Sequence, residues 1–116
     1  MNGKIGFEEH FAIPETLEET RNFAGDGGIW NQFTRQILDL GDERLEHMDK
    51  SGIELALLSL NAPGLQAILN ADEAMRVAQI SNDRMAAAVA AHPSRYAALA
   101  ALPMHDPDAA ARELTR

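Results

Sequence analysis

Glu8 and His10 are the two residues of this chain best suited to do chemistry together. They sit two apart in the run Phe7-Glu8-Glu9-His10-Phe11. A carboxylate and an imidazole offer one oxygen and one nitrogen donor, a mixed set that zinc and manganese both accept. Successive side chains on a strand point to opposite faces. If Lys4 to Phe11 is a strand, then Gly6, Glu8 and His10 share one face, and Ile5, Phe7, Glu9 and Phe11 share the other. The pair would form a two-point clamp at the C-terminal end of a central parallel strand. An ordinary charged strand end with a surface histidine uses the same residues, and Glu-x-His by itself does not separate the two.

The rest of the chain indicates what would hold such a clamp. An insertion follows from about Ala12 to Gly41. Pro14 suits the first turn of a short helix running through Leu17 toward Phe23. Gly25-Asp26-Gly27-Gly28 has the composition of a turn. Ile29, Phe33, Ile37 and Leu40 recur at helical spacing. Asp42 reads as the cap of a helix that carries Leu45 and Met48 and stops at Gly52. Ile53 to Leu60 is almost unbroken apolar, as in a strand covered on both faces. Asp72 then caps a long helix to about Ala91, whose inner face carries Ala74, Val77, Ala78, Ser81, Met85, Ala88 and Val89. Tyr96 to Leu102 reads as a third strand. Asp106-Pro107 is a cap followed by proline at the first position of a helix from Asp108 to Arg116.

This alternation of strands and helices predicts an α/β architecture with a parallel sheet. A (β/α)₈ barrel takes about 250 residues. The 116 residues present therefore read as its N-terminal portion, roughly three of eight βα units. On this expectation residues 1–116 belong to one barrel domain whose remainder is absent.

Composition excludes several classes of function. A net charge of −8 argues against nucleic acid or an anionic membrane as partner, because both select Lys/Arg patches. The absence of cysteine removes disulfides, thiolate zinc sites and cysteine nucleophiles, and fits a cytoplasmic location. No secretory n-region and h-region open the chain, and the Ala-rich stretch near 86–102 is interrupted by His92-Pro93-Ser94-Arg95. Gly-x-Gly-x-x-Gly, Walker, Gly-x-Ser-x-Gly and Cys-x-x-Cys patterns are all missing.

The run from Gly3 to Leu17, GKIGFEEHFAIPETL, closely resembles the opening of the γ-resorcylate (2,6-dihydroxybenzoate) decarboxylases of the amidohydrolase superfamily. The likeness continues through Leu58-Ser59-Leu60-Asn61-Ala62-Pro63 with Gln66-Ala67-Ile68. It extends through Ala100-Ala101-Leu102-Pro103 into Asp106-Pro107-Asp108-Ala109-Ala110. It covers essentially all of this chain but about the first third of a complete family member. The resemblance implies a barrel with one divalent metal ion at its C-terminal mouth, and Glu8 and His10 match the family's strand-one ligands. Typical amidohydrolases carry His-x-His there, so glutamate in the first place points to the decarboxylase branch. The family's later ligands, a histidine and an aspartate, have no counterpart here. The aspartate is also the proposed proton donor, so the catalytic acid is expected in the missing part and the 116 residues alone are expected to be inactive.

By the same resemblance, the reaction is nonoxidative decarboxylation of a hydroxybenzoate. The metal, zinc or manganese, holds the carboxylate and adjacent phenolic oxygen of a small aromatic substrate. The ring carbon is protonated and CO₂ leaves. A homo-oligomer is implied as well. Asn61 stands after strand two and offers a substrate hydrogen bond, or turn chemistry. Phe23 offers cover for an aromatic ring, or packing. Trp30 reads as an anchor for the insertion or a subunit contact, His47 as a surface residue, His92 as a helix end, and His105 as a possible support for the metal ligands. Two other readings remain open: a metal-dependent hydrolase on the same scaffold, and a non-catalytic interaction module or remnant whose sheet edge pairs with another chain.

Overall fold

The computed structural model describes residues 3–24 and 28–116, with the side chains of Glu19, Asn22, Phe23 and Ala24 outside the described set. Residues 25–27 of the turn expected at Gly25–Gly28 lie outside it too. Three strands, β1 (Lys4–Phe11), β2 (Ile53–Leu60) and β3 (Tyr96–Ala98), pair in parallel in the order β1-β2-β3. Helices α1 (Pro14–Ala24), α2 (Ile29–Leu38) and α3 (Asp42–Ser51) lie between β1 and β2, α4 (Ala71–Ala91) lies between β2 and β3, and α5 (Pro107–Thr115) follows β3. A 3₁₀ turn over Gly64–Ala67 precedes α4. Among the described residues, no helix is long and apolar enough to cross a membrane.

Helix ends follow local chemistry, with two changes from expectation. Gly52 ends α3 in the left-handed region (φ 70), where its N–H reaches the carbonyls of Met48 and Asp49 and a side chain would be strained. Asp106 caps α5 by accepting from the Ala109 N–H at 3.0 Å, with Pro107 at the first position. At α4 the cap is Asn70, whose Oδ1 accepts from the Glu73 N–H at 2.9 Å, so Asp72 lies inside the first turn. At α3 the Arg44 N–H donates to Asp39 Oδ2 at 2.8 Å, so Asp39 does the capping expected of Asp42. Side chains two or three residues apart compete for the same N–H groups, and sequence spacing does not rank them.

The core lies on one face of the sheet. Ala56 and Leu58 of β2, Phe11 and Tyr96 pack against Met48, Val77, Ala78, Met85 and Ala88. Truncating a leucine placed like Leu58 costs about 2–5 kcal/mol. On the other face Leu55, Leu57 and Ser59 are only half-buried, and Ile5 and Leu99 are 55% and 50% exposed. The expected cover on both faces of β2 is therefore present on one. The α2 stripe is also narrower than expected: Ile37 and Leu40 are buried, whereas Ile29 is 77% exposed.

Two further corrections concern the strands. β1 stands at an edge, and β2 is the central strand. β3 ends at Ala98 rather than Leu102. Beyond it, the Asn82 side chain takes the place of a strand partner: its Oδ1 accepts from the Ala101 N–H at 2.8 Å and its Nδ2 donates to the Ala101 carbonyl at 2.9 Å.

Candidate functional site

The strand carrying Glu8 and His10 is not regular. Gly6 pairs with Ala56 and Glu9 with Leu58, so two residues of β1, Phe7 and Glu8, stand against the single residue Leu57. This is a β-bulge, a device that bends a strand and re-aims a side chain. Glu8 takes a left-handed conformation there (φ 57), the one non-glycine residue with positive φ among those described. That backbone costs a non-glycine residue about 1–3 kcal/mol and is found mainly where the surroundings impose it.

The bulge also changes the facing of the strand. Past it, His10 pairs with Ser59 and Phe11 with Leu60. Partners on parallel strands share a face, and Leu57 and Ser59 alternate onto the same side of β2. Glu8 and His10 are thus both registered to residues of the face opposite the core. Gly6 does not stand with them, contrary to strict alternation. It lies on the core side with Glu9, whose carboxylate occupies the space a Cβ at Gly6 would need: Glu9 Oε1 would be 2.6 Å from it.

His10 is held from two directions. Its ring Nδ1 lies 2.9 Å from Ser59 Oγ. Its carbonyl accepts from Arg44 Nη2 at 2.9 Å, and the same nitrogen donates to the Gln36 carbonyl at 3.2 Å. Burial pushes the Arg44 guanidinium below its ordinary pKa, while Tyr96, Glu9 and Asp39 act to raise it. Arg44 remains a cation, since an arginine side chain is not deprotonated in proteins. Glu8 and His10 themselves are exposed.

Asn61 follows β2 at the same end of the sheet, where its N–H donates to the Phe11 carbonyl at 2.8 Å. Its side chain is buried, 3% exposed. Oδ1 accepts from Thr16 Oγ1 at 2.7 Å, and Nδ2 donates to the Thr16 carbonyl at 3.1 Å and to Thr20 Oγ1. These bonds fasten α1 over the end of β2. An open cleft of about 380 Å³ lies beside it, lined by His10, Thr20, Phe33, Arg44, Asn61 and Ala62.

The remaining candidates are dispersed. Phe23 falls in α1, and its side chain lies outside the described residues. Trp30 stacks on Phe33 with ring centroids 5.7 Å apart, and the Arg21 guanidinium lies 5.9 Å from its ring, which ties α1 to α2. His47 is exposed on α3 and borders a second cleft with Glu9, His10 and Glu43. The His92 ring meets Tyr96 edge-on at 5.9 Å, and His105 is exposed after β3. Among the described residues, no group of three or more His, Cys, Asp or Glu stands together as a metal cluster. Ser59 and Arg44 were not anticipated from the sequence, because both meet His10 across strand or helix contacts whose register no local pattern encodes.

No family model matches the chain. Over all 116 residues it is 48% identical to the γ-resorcylate decarboxylase of Rhizobium radiobacter, and it spans 35% of that protein's length. Its fold superposes with a TM-score of 0.94 on a 2,6-dihydroxybenzoate decarboxylase complexed with 2,6-dihydroxybenzoate. That structure is 48% identical, and the match covers 100% of this chain and 36% of that one. A dihydroxybenzoic acid decarboxylase from Polaromonas sp. JS666, with bound manganese and the inhibitor 2-nitroresorcinol, gives the same TM-score and identity, covering 100% of this chain and 35% of its own. The chain is thus an α/β unit spanning about a third of these decarboxylases.

Proposed function

We propose that this chain is the N-terminal part of a metal-dependent, nonoxidative decarboxylase acting on a hydroxybenzoate of the 2,6-dihydroxybenzoate type. The observation that carries the reading is the bulge at Phe7-Glu8, which registers Glu8 and His10 to one face at the C-terminal end of β1. A strained backbone at an exposed glutamate contributes nothing to packing, and such outliers gather at functional sites. The similarity to decarboxylases, one with bound manganese, supports the same reading.

The donor set fits a divalent cation: Glu8 offers an anionic oxygen and His10 a neutral nitrogen, and zinc or manganese would accept both. Bound there, the cation supplies a positive template for a substrate carboxylate and its adjacent phenolic oxygen. Arg44 and Ser59 hold His10 in place for this task. Phe23 and Asn61 are the candidates for substrate contact, Asn61 through the cleft it lines and α1 through its placement beside that cleft. In the overall reaction a proton is added to the ring carbon and its bond to the carboxylate breaks, giving CO₂ and the arene. The proton donor and further ligands are assigned to later strands, so the 116 residues alone are inactive. We also assign the whole protein to the cytoplasm, as a homo-oligomer with no nucleic-acid or membrane partner, in keeping with its charge of −8 and lack of cysteine.

The hydrolase and interaction-module readings are not favoured by the relatives. The test is to supply 2,6-dihydroxybenzoate and manganese to the whole gene product and follow CO₂ release. Release of CO₂ supports decarboxylation, whereas hydrolysis of esters or lactones without CO₂ release overturns it.

A further inference from the structure

We propose that Ser59 is a positioning residue for His10, fixing its ring so that Nδ1 carries the proton and Nε2 is left as the free donor nitrogen. The inference rests on the reading of His10 as a metal ligand. Ser59 is the strand partner of His10 on β2, so the two side chains stand side by side on one face. The 2.9 Å approach of Oγ to Nδ1 is a hydrogen bond. The His10 backbone is fixed separately, because Arg44 holds its carbonyl. What remains free is the rotation of the imidazole, and Ser59 settles it.

A serine hydroxyl both donates and accepts, so two arrangements satisfy this contact. In one, the hydroxyl donates to Nδ1 and the ring proton sits on Nε2, which leaves no lone pair for a metal. In the other, Nδ1–H donates to Oγ and Nε2 keeps its lone pair. A ligand imidazole must be of the second kind. Ligating histidines commonly give their other ring N–H to such a partner. The sequence had made Ser59 part of a strand and nothing more.

The test uses the metal-free whole gene product with its histidine rings labelled with ¹⁵N, at about pH 8.5. The ring-nitrogen spectrum of His10 is compared among wild type, Ser59→Ala and Ser59→Thr, with the amide spectrum as a check on the fold. The expected result is a wild-type ring protonated at Nδ1, a mixture of tautomers in Ser59→Ala, and restoration in Ser59→Thr. Titration with Zn²⁺ or Mn²⁺ should show affinity lowered roughly 10- to 100-fold in Ser59→Ala and regained in Ser59→Thr. A tautomer mixture in the wild type, or a ring and an affinity unchanged in Ser59→Ala, would overturn the proposal. A wild type that takes up neither metal counts against the metal reading instead, and the ring spectrum alone then upholds or overturns the Ser59 contact.

Discussion

The guanidinium of Arg44, on α3, donates to the carbonyl of His10 at 2.9 Å, on the side of β1 that faces away from β2. Phe11, one residue on, gives its carbonyl to the Asn61 N–H at the end of β2. The end of β1 is thus satisfied on both sides, by a neighbouring strand and by a helix side chain. An unpaired carbonyl there would depend on water and would leave the His10 backbone free to shift.

Arg44→Met is therefore expected to keep the aliphatic packing and to lose the bonds to His10 and Gln36. Hydrogen bonds from a charged donor are worth about 1.5–3 kcal/mol each, so losing the two is predicted to cost about 3 kcal/mol or more in urea unfolding. Arg44→Lys should recover part of it, because one ammonium cannot copy the planar fork. A midpoint unchanged in Arg44→Met would remove Arg44 from the account.

Asn61 makes a second stability prediction. Its side chain joins β2 to α1 through Thr16 and Thr20. Asn61→Ala removes three hydrogen bonds that tie β2 to α1, each worth about 0.5–1.5 kcal/mol net. We expect a loss of about 3 kcal/mol, with amide exchange in α1 accelerating more than in α4. Uniform exchange across both helices would show that Asn61 does not act locally.

How much of this was legible in the sequence depends on the range of the interaction. β1 and β2 were readable to the residue, because apolar runs and turn signals are local. The caps at Asp106 and Gly52 were readable for the same reason. The bulge was not. Alternation placed Gly6 with His10, and one extra residue opposite Leu57 separates them. Nothing in Phe7-Glu8-Glu9 announces that insertion, since its cause is the pairing with β2. Asn82 replacing a strand partner for Ala101 is a contact 19 residues away in sequence, likewise beyond local pattern. At the site, Glu8 and His10 were nameable by residue type, whereas Ser59 and Arg44 required the register.

Acid should weaken the junction of α4 and α5. Arg116 holds the Glu113 carboxyl below the usual carboxylate range, with further help from Asn82 and against the opposing effect of burial. A carboxylate with lowered pKa binds its proton less readily folded than unfolded. Its stabilisation is complete above the ordinary value of about 4.3 and is lost as pH falls through the lowered one. Urea midpoints should show Glu113→Gln below wild type at about pH 6, with the gap closing at about pH 3. A gap that is constant with pH would contradict the assignment.

The 116 residues by themselves are expected to self-associate. Ile5, Phe7 and Leu99 are exposed, Phe7 at 72%, and the outer strands β1 and β3 each leave an edge. Such faces and edges pair with other copies. Sedimentation should show concentration-dependent oligomers, reduced by Phe7→Glu. A monomer at all concentrations, unfolding cooperatively, would contradict this.

The most direct test of the central claim is metal content measured beside the rate of 2,6-dihydroxybenzoate decarboxylation in the whole gene product, for Glu8→Gln, His10→Ala and His47→Ala. Glutamine keeps the shape of Glu8 without its charge, alanine removes the imidazole of His10, and His47 lies exposed on α3. The account predicts loss of both metal and turnover in the first two variants and near wild-type values in the third. Metal and activity retained in Glu8→Gln and His10→Ala, or activity lost selectively in His47→Ala, would contradict it.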